Sequence, residues 1–214
     1  MKNNLLVTRP ENDCATYYLS KWSEKVIKEA QNKGVRIIDL WRNKANRKRF
    51  IGTVIKSNPK LLFLNGHGDS DIVGGHNQEA ILTIKDKNVV SCKIIYARSC
   101  RSGKILGNVL AAQGVVTYLG YKENFWLGYR LEKISKPLED ERAALFLEPS
   151  NYVILSLLKG HSAKDANSKS KALFAKNIEK LLIAGPTDEN YGYRAALYWD
   201  MMNQVCLGNQ NATF

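Results

Sequence analysis

The sequence predicts a three-layer α/β protein: a mostly parallel sheet, helices on both faces, and extra helices at the C-terminus. Three observations predict it. Through the first two thirds of the 214 residues, short apolar runs alternate with stretches whose apolar residues recur at helical spacing. The short runs are nearly continuous in Val, Ile, Leu and Tyr, as strands covered on both faces require. The composition, 44% hydrophobic and 24% charged, supplies a core and excludes a disordered chain.

The elements follow in order. Leu5–Thr8 is a first strand, ended by Arg9-Pro10. Asn12 or Asp13 can cap the next helix, which runs to about Gly34 with Tyr18, Trp22, Val26 and Ala30 on one face. Val35–Leu40 is a second strand, and Asn43–Ser57 a basic helix with Phe50, Val54 and Ile55 turned inward. Leu61–Asn65 is a third strand, running into Gly66-His67-Gly68. Residues 69–91 read as a polar, Gly-rich loop with a small hairpin and a helical turn near Asp86–Val90. Lys93–Ser99 is a fourth strand that delivers Cys100, Ser102–Gln113 a helix with Ile105, Val109 and Ala112 on one side, and Gly114–Tyr121 a fifth strand. After Tyr121 the chain is largely helical, in Leu138–Gly160, Ala163–Ala184 and Glu189–Leu207, with Pro149 and Gly185-Pro186 as breaks. We read one domain over 1–214, with 1–121 as the motif-bearing α/β core and 122–214 as its mostly helical completion.

Four cysteines (14, 92, 100 and 206) form no CxxC pair and no ligand spacing with the three histidines, so neither a disulfide framework, nor a metal, nor an organic cofactor is expected. Cys92 precedes a strand and is expected to pack. No apolar run approaches the roughly 18 residues of a membrane span, and the first residues lack the apolar core of a signal peptide, so a cytoplasmic protein is expected. The net charge of +12 raises nucleic acid as a partner. Ten of the Lys and Arg residues, against three acidic ones, fall in 21–49, most densely in Arg42–Arg49. No nucleic-acid-binding signature accompanies them, so a solvated helix face is the preferred reading.

The chemistry concentrates at two strand ends. In open parallel sheets, sites lie beyond the carboxyl ends of the strands, and consecutive parallel strands usually neighbour one another, about 4.8 Å apart. His67 and Cys100 follow the third and fourth strands and can therefore meet. An imidazole beside a thiol makes a base and a nucleophile able to attack a carbonyl. Gly68 lets the backbone approach a substrate, so the N–H groups of Gly68 and Cys100 are candidate oxyanion donors. A helix starting just after Cys100 would favour its thiolate. His76, in the turn Gly74-Gly75-His76, could line the same cleft.

The stretch Leu61-Leu-Phe-Leu-Asn-Gly-His-Gly68 resembles the apolar block and His-Gly motif of clan CD cysteine peptidases. Ile94-Ile-Tyr-Ala-Arg-Ser-Cys-Arg-Ser-Gly103 resembles their second block, a strand ending in the catalytic cysteine. The likeness is to the gingipain-like and CHAT-like bacterial members of this caspase-like group, and its motifs cover residues 60–121. It implies a caspase-like fold, a cysteine endopeptidase with His67 and Cys100 as the dyad, a protein substrate and restraint by a regulatory protein partner, by autocleavage or by assembly. It also implies service in bacterial stress, immunity or cell death. In that clan the loop after the first strand shapes the pocket for the residue before the cut. Here Asp13 or Glu11 would suit an Arg or Lys side chain and Arg9 an acidic one, while Asp13 could equally be a helix cap; the resemblance to gingipains and separases favours a basic residue before the cut. Two other functions compete: a catalytically silent caspase-like module that binds a partner, and a basic nucleic-acid-binding domain.

Overall fold

The computed structural model describes residues 4–214. A six-stranded sheet runs through it in the order β2-β1-β3-β7-β8-β9. Its strands are β1 (Asn4–Arg9), β2 (Arg36–Trp41), β3 (Leu61–Asn65), β7 (Ile94–Arg98), β8 (Thr117–Tyr121) and β9 (Gln204–Gly208). The first five pair in parallel and β9 closes the β8 edge antiparallel. Between β3 and β7 the chain forms a second, three-stranded antiparallel sheet from β4 (Gly68–Asp69), β5 (Ile72–Gly74) and β6 (Ala80–Thr83).

Strands β3, β7 and β8 are buried end to end, and β1 from Leu5 onward, because both their faces are covered; β2, at the sheet edge, is only partly buried. Leu6, Leu62, Leu64, Ile95, Ala97 and Tyr118 point to one side, where α2 (Arg47–Ser57) and α3 (Leu106–Ala112) bring Phe50, Val54, Leu106 and Leu110. Their sequence neighbours Leu5, Val7, Leu61, Phe63, Tyr96 and Leu119 point to the other. There they meet Val26 and Ala30 of α1 (Cys14–Asn32), Val153 and Leu157 of α4 (Glu141–Leu158), and Ala163 of α5 (Ala163–Ala184). This is the period-two side-chain alternation of a strand, with both phases apolar. Each fully buried Val, Leu or Ile contributes about 1.5–3 kcal/mol, so the four central strands carry much of the stability. A third cluster joins α1, α4, α5 and α6 (Arg194–Asn203) through Tyr18, Trp22, Phe146, Phe174 and Leu197.

Several expectations need correction. The helix placed at Asn43–Ser57 begins at Arg47, capped by the Asn46 side chain on the Arg49 N–H, and Ile55 faces solvent because Phe50 and Val54 already fill the inward face. The helix placed at Ser102–Gln113 begins only at Leu106; its buried face is Leu106, Gly107 and Leu110, with Ile105 and Ala112 exposed. The chain before it is pulled into turns, with Gly103 N–H donating to the Tyr121 carbonyl and the Ile105 and Leu106 N–H groups to that of Ser70. Pro149 does not break its helix. The Leu145 carbonyl four residues earlier, which a proline leaves without its amide donor, accepts instead from Asn177 Nδ2 of α5 at 2.8 Å. The stretch read as a helix over Glu189–Leu207 divides into α6 and β9. Cys92 is exposed rather than packed. The turn expected near Asp86–Val90 is present, the Val89 and Val90 N–H groups donating to the Asp86 carbonyl, and a 3-10 turn at Ile84–Asp86 capped by Thr83 precedes it.

The basic cluster is partly spent within the fold. Arg42 donates to Glu11 at 2.7 Å, and Arg47 pairs with the buried Asp86 at 2.6 Å, tying α2 to the loop after β6. Among the described residues no helix is long and apolar enough to cross a membrane.

Candidate active site

The register of the sheet brings the two motifs together. β3 and β7 are hydrogen-bonded neighbours, with Asn65 opposite Arg98. His67 and Cys100 each lie two residues beyond that last pair, so both side chains leave the carboxyl end of the sheet at the same level.

The strand ends are locked by polar contacts. Asn65 exchanges three hydrogen bonds with Thr8 on β1 and accepts from Arg98 Nε at 3.0 Å. The guanidinium of Arg98 is fully buried. It also donates to Asn151 of α4 and to the Leu19 carbonyl and Ser23 hydroxyl of α1, and it lies 5.1 Å from the Phe63 ring. Its acceptors are all neutral, and burial lowers its pKa to about 10. It therefore fastens β3, β7, α1 and α4 at a single point under the site.

Both glycines around His67 are dictated by space. Gly66 has φ +149°, and a Cβ there would meet the Gly74 carbonyl oxygen at 2.1 Å. A Cβ on Gly68 would meet Ser99 Oγ at 2.0 Å and the Cys100 carbonyl at 3.0 Å. This close packing lets Ser99 Oγ donate to the His67 carbonyl at 2.8 Å, alongside the Gly74 N–H at 2.8 Å. The residue before the candidate nucleophile thus fixes the backbone of the candidate base.

The imidazole of His67 is turned to Asp13, its Nε2 lying 2.5 Å from Oδ2. The other Asp13 oxygen caps α1 on the Thr16 N–H at 2.9 Å. Burial works to raise the Asp13 pKa, but the Thr16 and His67 contacts outweigh it and hold the carboxylate below its ordinary range. An ionised carboxylate on Nε2 keeps the proton there and leaves Nδ1 as the free base.

Cys100 and His67 line one small pocket of about 100 Å³ with Ala15, Thr16 and Leu19 of α1 and with Phe125 and Leu127. The thiol is mostly buried and donates weakly to the Phe125 carbonyl at 3.9 Å. Burial, with a smaller effect of Asp200, pushes its pKa up, so the resting thiol is neutral. The expectation that a helix start would favour the thiolate fails, because α3 begins six residues further on and is only 7 residues long. The segment over the thiol is held from α6: Asp200 Oδ1 accepts the Trp126 N–H at 2.8 Å, and Trp199 Nε1 donates to the Asn124 carbonyl at 3.0 Å. Asp200 is fully buried, its Oδ2 has no partner among the described residues, and burial raises its pKa well above the carboxylate range.

The remaining candidates are placed elsewhere. Glu11 is almost buried and accepts from Trp41, Arg42 and Ser20, so it is not free for a substrate. Asp13 is a cap and the partner of His67 rather than the base of a pocket. Arg9 is paired with Asp39 and Glu24. His76 sits over Ala45, to whose carbonyl its N–H donates, and does not line the Cys100 pocket. A wider groove of about 710 Å³ lies at the other end of the sheet and holds Cys92 but no histidine. The sequence carried no signal for Phe125, Leu127 or Asp200, which reach the site only through tertiary packing. No cluster able to hold a metal occurs among the described residues.

The parallel sheet, its helical layers and the two strand-end motifs define a caspase-like α/β fold, and solved structures bear this out. The chain is similar to the Arg-specific cysteine proteinase gingipain R, with TM-score 0.67 and 10% identity over 98% of this chain and 46% of that one. It is likewise similar to the complex of Porphyromonas gingivalis RgpB pro- and mature domains, with TM-score 0.64 and 11% identity over 98% and 47%. A secreted C11 cysteine protease from Bacteroides thetaiotaomicron, "iotapain", matches with TM-score 0.45 and 11% identity over 84% of this chain and 70% of that one. The chain spans a little under half the length of the gingipain chains it matches. No family model and no curated protein matches the sequence.

Proposed function

We propose that the protein is a cysteine endopeptidase acting on polypeptides, with Cys100 as nucleophile and His67 as base. One observation carries the reading: in a caspase-like fold, His67 and Cys100 share one pocket at the carboxyl end of adjacent parallel strands, with a carboxylate against the imidazole. Substrate binding brings a peptide carbonyl against Cys100 Sγ. His67 takes the thiol proton, sulfur bonds to the carbonyl carbon, and the oxyanion is received by the N–H groups of Gly68 and Cys100. His67 then returns the proton to the leaving amine as the C–N bond breaks. Water, deprotonated by the same imidazole, hydrolyses the thioester and regenerates the thiol. Asp13 holds the ring and stabilises the imidazolium through both halves of the cycle.

The buried, neutral thiol suits a resting form whose strap, residues 124–127, gives way when substrate enters. A protein segment or partner that controls this step is in keeping with the reading. The test is incubation with a denatured protein mixture and mapping of the cut sites by mass spectrometry. We expect discrete new termini from the wild type and none from Cys100→Ala or His67→Ala. Cleavage that survives Cys100→Ala overturns the proposal.

A further inference from the structure

We propose, resting on the peptidase reading above, that the residue before the scissile bond is a small branched apolar one, leucine or valine, received by the pocket of Ala15, Leu19, Phe125 and Leu127. The loop carboxylates that would have received Arg or Lys are committed: Glu11 to Trp41, Arg42 and Ser20, and Asp13 to His67 and the cap of α1. The remaining wall is carbon from α1 and the strap, beside the nucleophile itself.

Charge argues the same way. Among the described residues that line the pocket, the one permanent charge is the guanidinium of Arg98, whose acceptors are all neutral. A lysine or arginine side chain there would be buried beside a like charge with no counter-ion, which is strongly unfavourable. An acidic side chain gains little in exchange, because Arg98 is fully buried and its hydrogen bonds are directed into β3, α1 and α4. Apolar pockets discriminate by fit, roughly 10–200-fold per methylene.

The test is kcat/KM for fluorogenic peptides that differ only in the residue before the reporter: Leu, Val, Ala, Arg, Lys or Asp. We expect Leu or Val to exceed Arg, Lys and Asp by about tenfold or more. Ala15→Leu, which fills the pocket from α1, should lower the Leu-to-Ala ratio by about tenfold. That ratio is insensitive to any general loss of active protein. Faster cleavage after Arg, Lys or Asp overturns this inference and leaves the peptidase reading standing. An unchanged ratio in Ala15→Leu also overturns it, since the side chain must then bind elsewhere. Absence of cleavage of every peptide and of denatured protein overturns both.

Discussion

Asp13 shows how one residue serves both the fold and the site. Its Oδ1 caps α1 and its Oδ2 holds His67, so the two roles can be separated by substitution. Asparagine keeps an acceptor for the cap, which is worth about 1 kcal/mol. It loses the charge that stabilises an imidazolium. Asp13→Asn should therefore melt near the wild-type temperature while kcat falls by about 10–10²-fold, with KM little changed. An unchanged kcat would leave Asp13 a cap alone. Asp200 is the opposite case, a carboxyl without a compensating charge. Its folded-state pKa is raised, so its contribution favours the folded state below the unfolded value near 4 and is lost as pH rises through the folded value. Asp200→Asn removes this penalty and keeps the acceptor for Trp126 N–H. We expect the variant to melt a few degrees above the wild type at pH 8, with the difference vanishing at pH 4. Thermal melts at the two pH values decide it.

At the scale of elements, the Gly-His-Gly turn is the piece whose sequence and geometry are most tightly bound. A methyl at Gly66 would strike the Gly74 backbone, and one at Gly68 would strike Ser99, whose hydroxyl anchors the His67 carbonyl. Gly34 also has positive φ, +72°, but open space around its Cβ position. Gly66→Ala and Gly68→Ala should each cost about 1–3 kcal/mol in urea unfolding and abolish cleavage. Gly34→Asn should cost less than about 1 kcal/mol and leave cleavage intact. The elements legible in the sequence were those whose own pattern decides them. The five parallel strands are apolar on both faces, and α1 carries a capped face of Tyr18, Trp22, Val26 and Ala30. The illegible ones are decided by partners. Gln204-Val-Cys-Leu-Gly208 follows α6 with no turn residue between and becomes a strand only because β8 offers an open edge. Pro149 stays helical only because Asn177 serves the carbonyl it frees. Ser102–Ile105 is not helical because β8 and Ser70 compete for its amides.

For the whole molecule, the positions of His67 and Cys100 at neighbouring strand ends could be read from order and spacing, since parallel strands bring their carboxyl ends together. The pocket could not, because its walls come from residues 15–19 and 125–127, and the latter are held over Cys100 by α6, far along the chain. Whether a loop carboxylate is free to meet a basic side chain was hidden for the same reason: it depends on Trp41, Arg42 and His67, which only the fold brings to it. Activation of Cys100 by His67 is the step on which the proposed peptidase stands, and covalent capture reads it. Peptidyl acyloxymethyl ketones react when an activated cysteine displaces the carboxylate leaving group and forms a thioether. With a set carrying Leu, Arg or Asp before the ketone, intact mass and peptide mapping should find one adduct per chain, on Cys100. Capture should slow by about 10²-fold or more in His67→Ala. Adducts on the exposed Cys92 in preference to Cys100, or capture of Cys100 at the same rate without His67, would overturn the dyad.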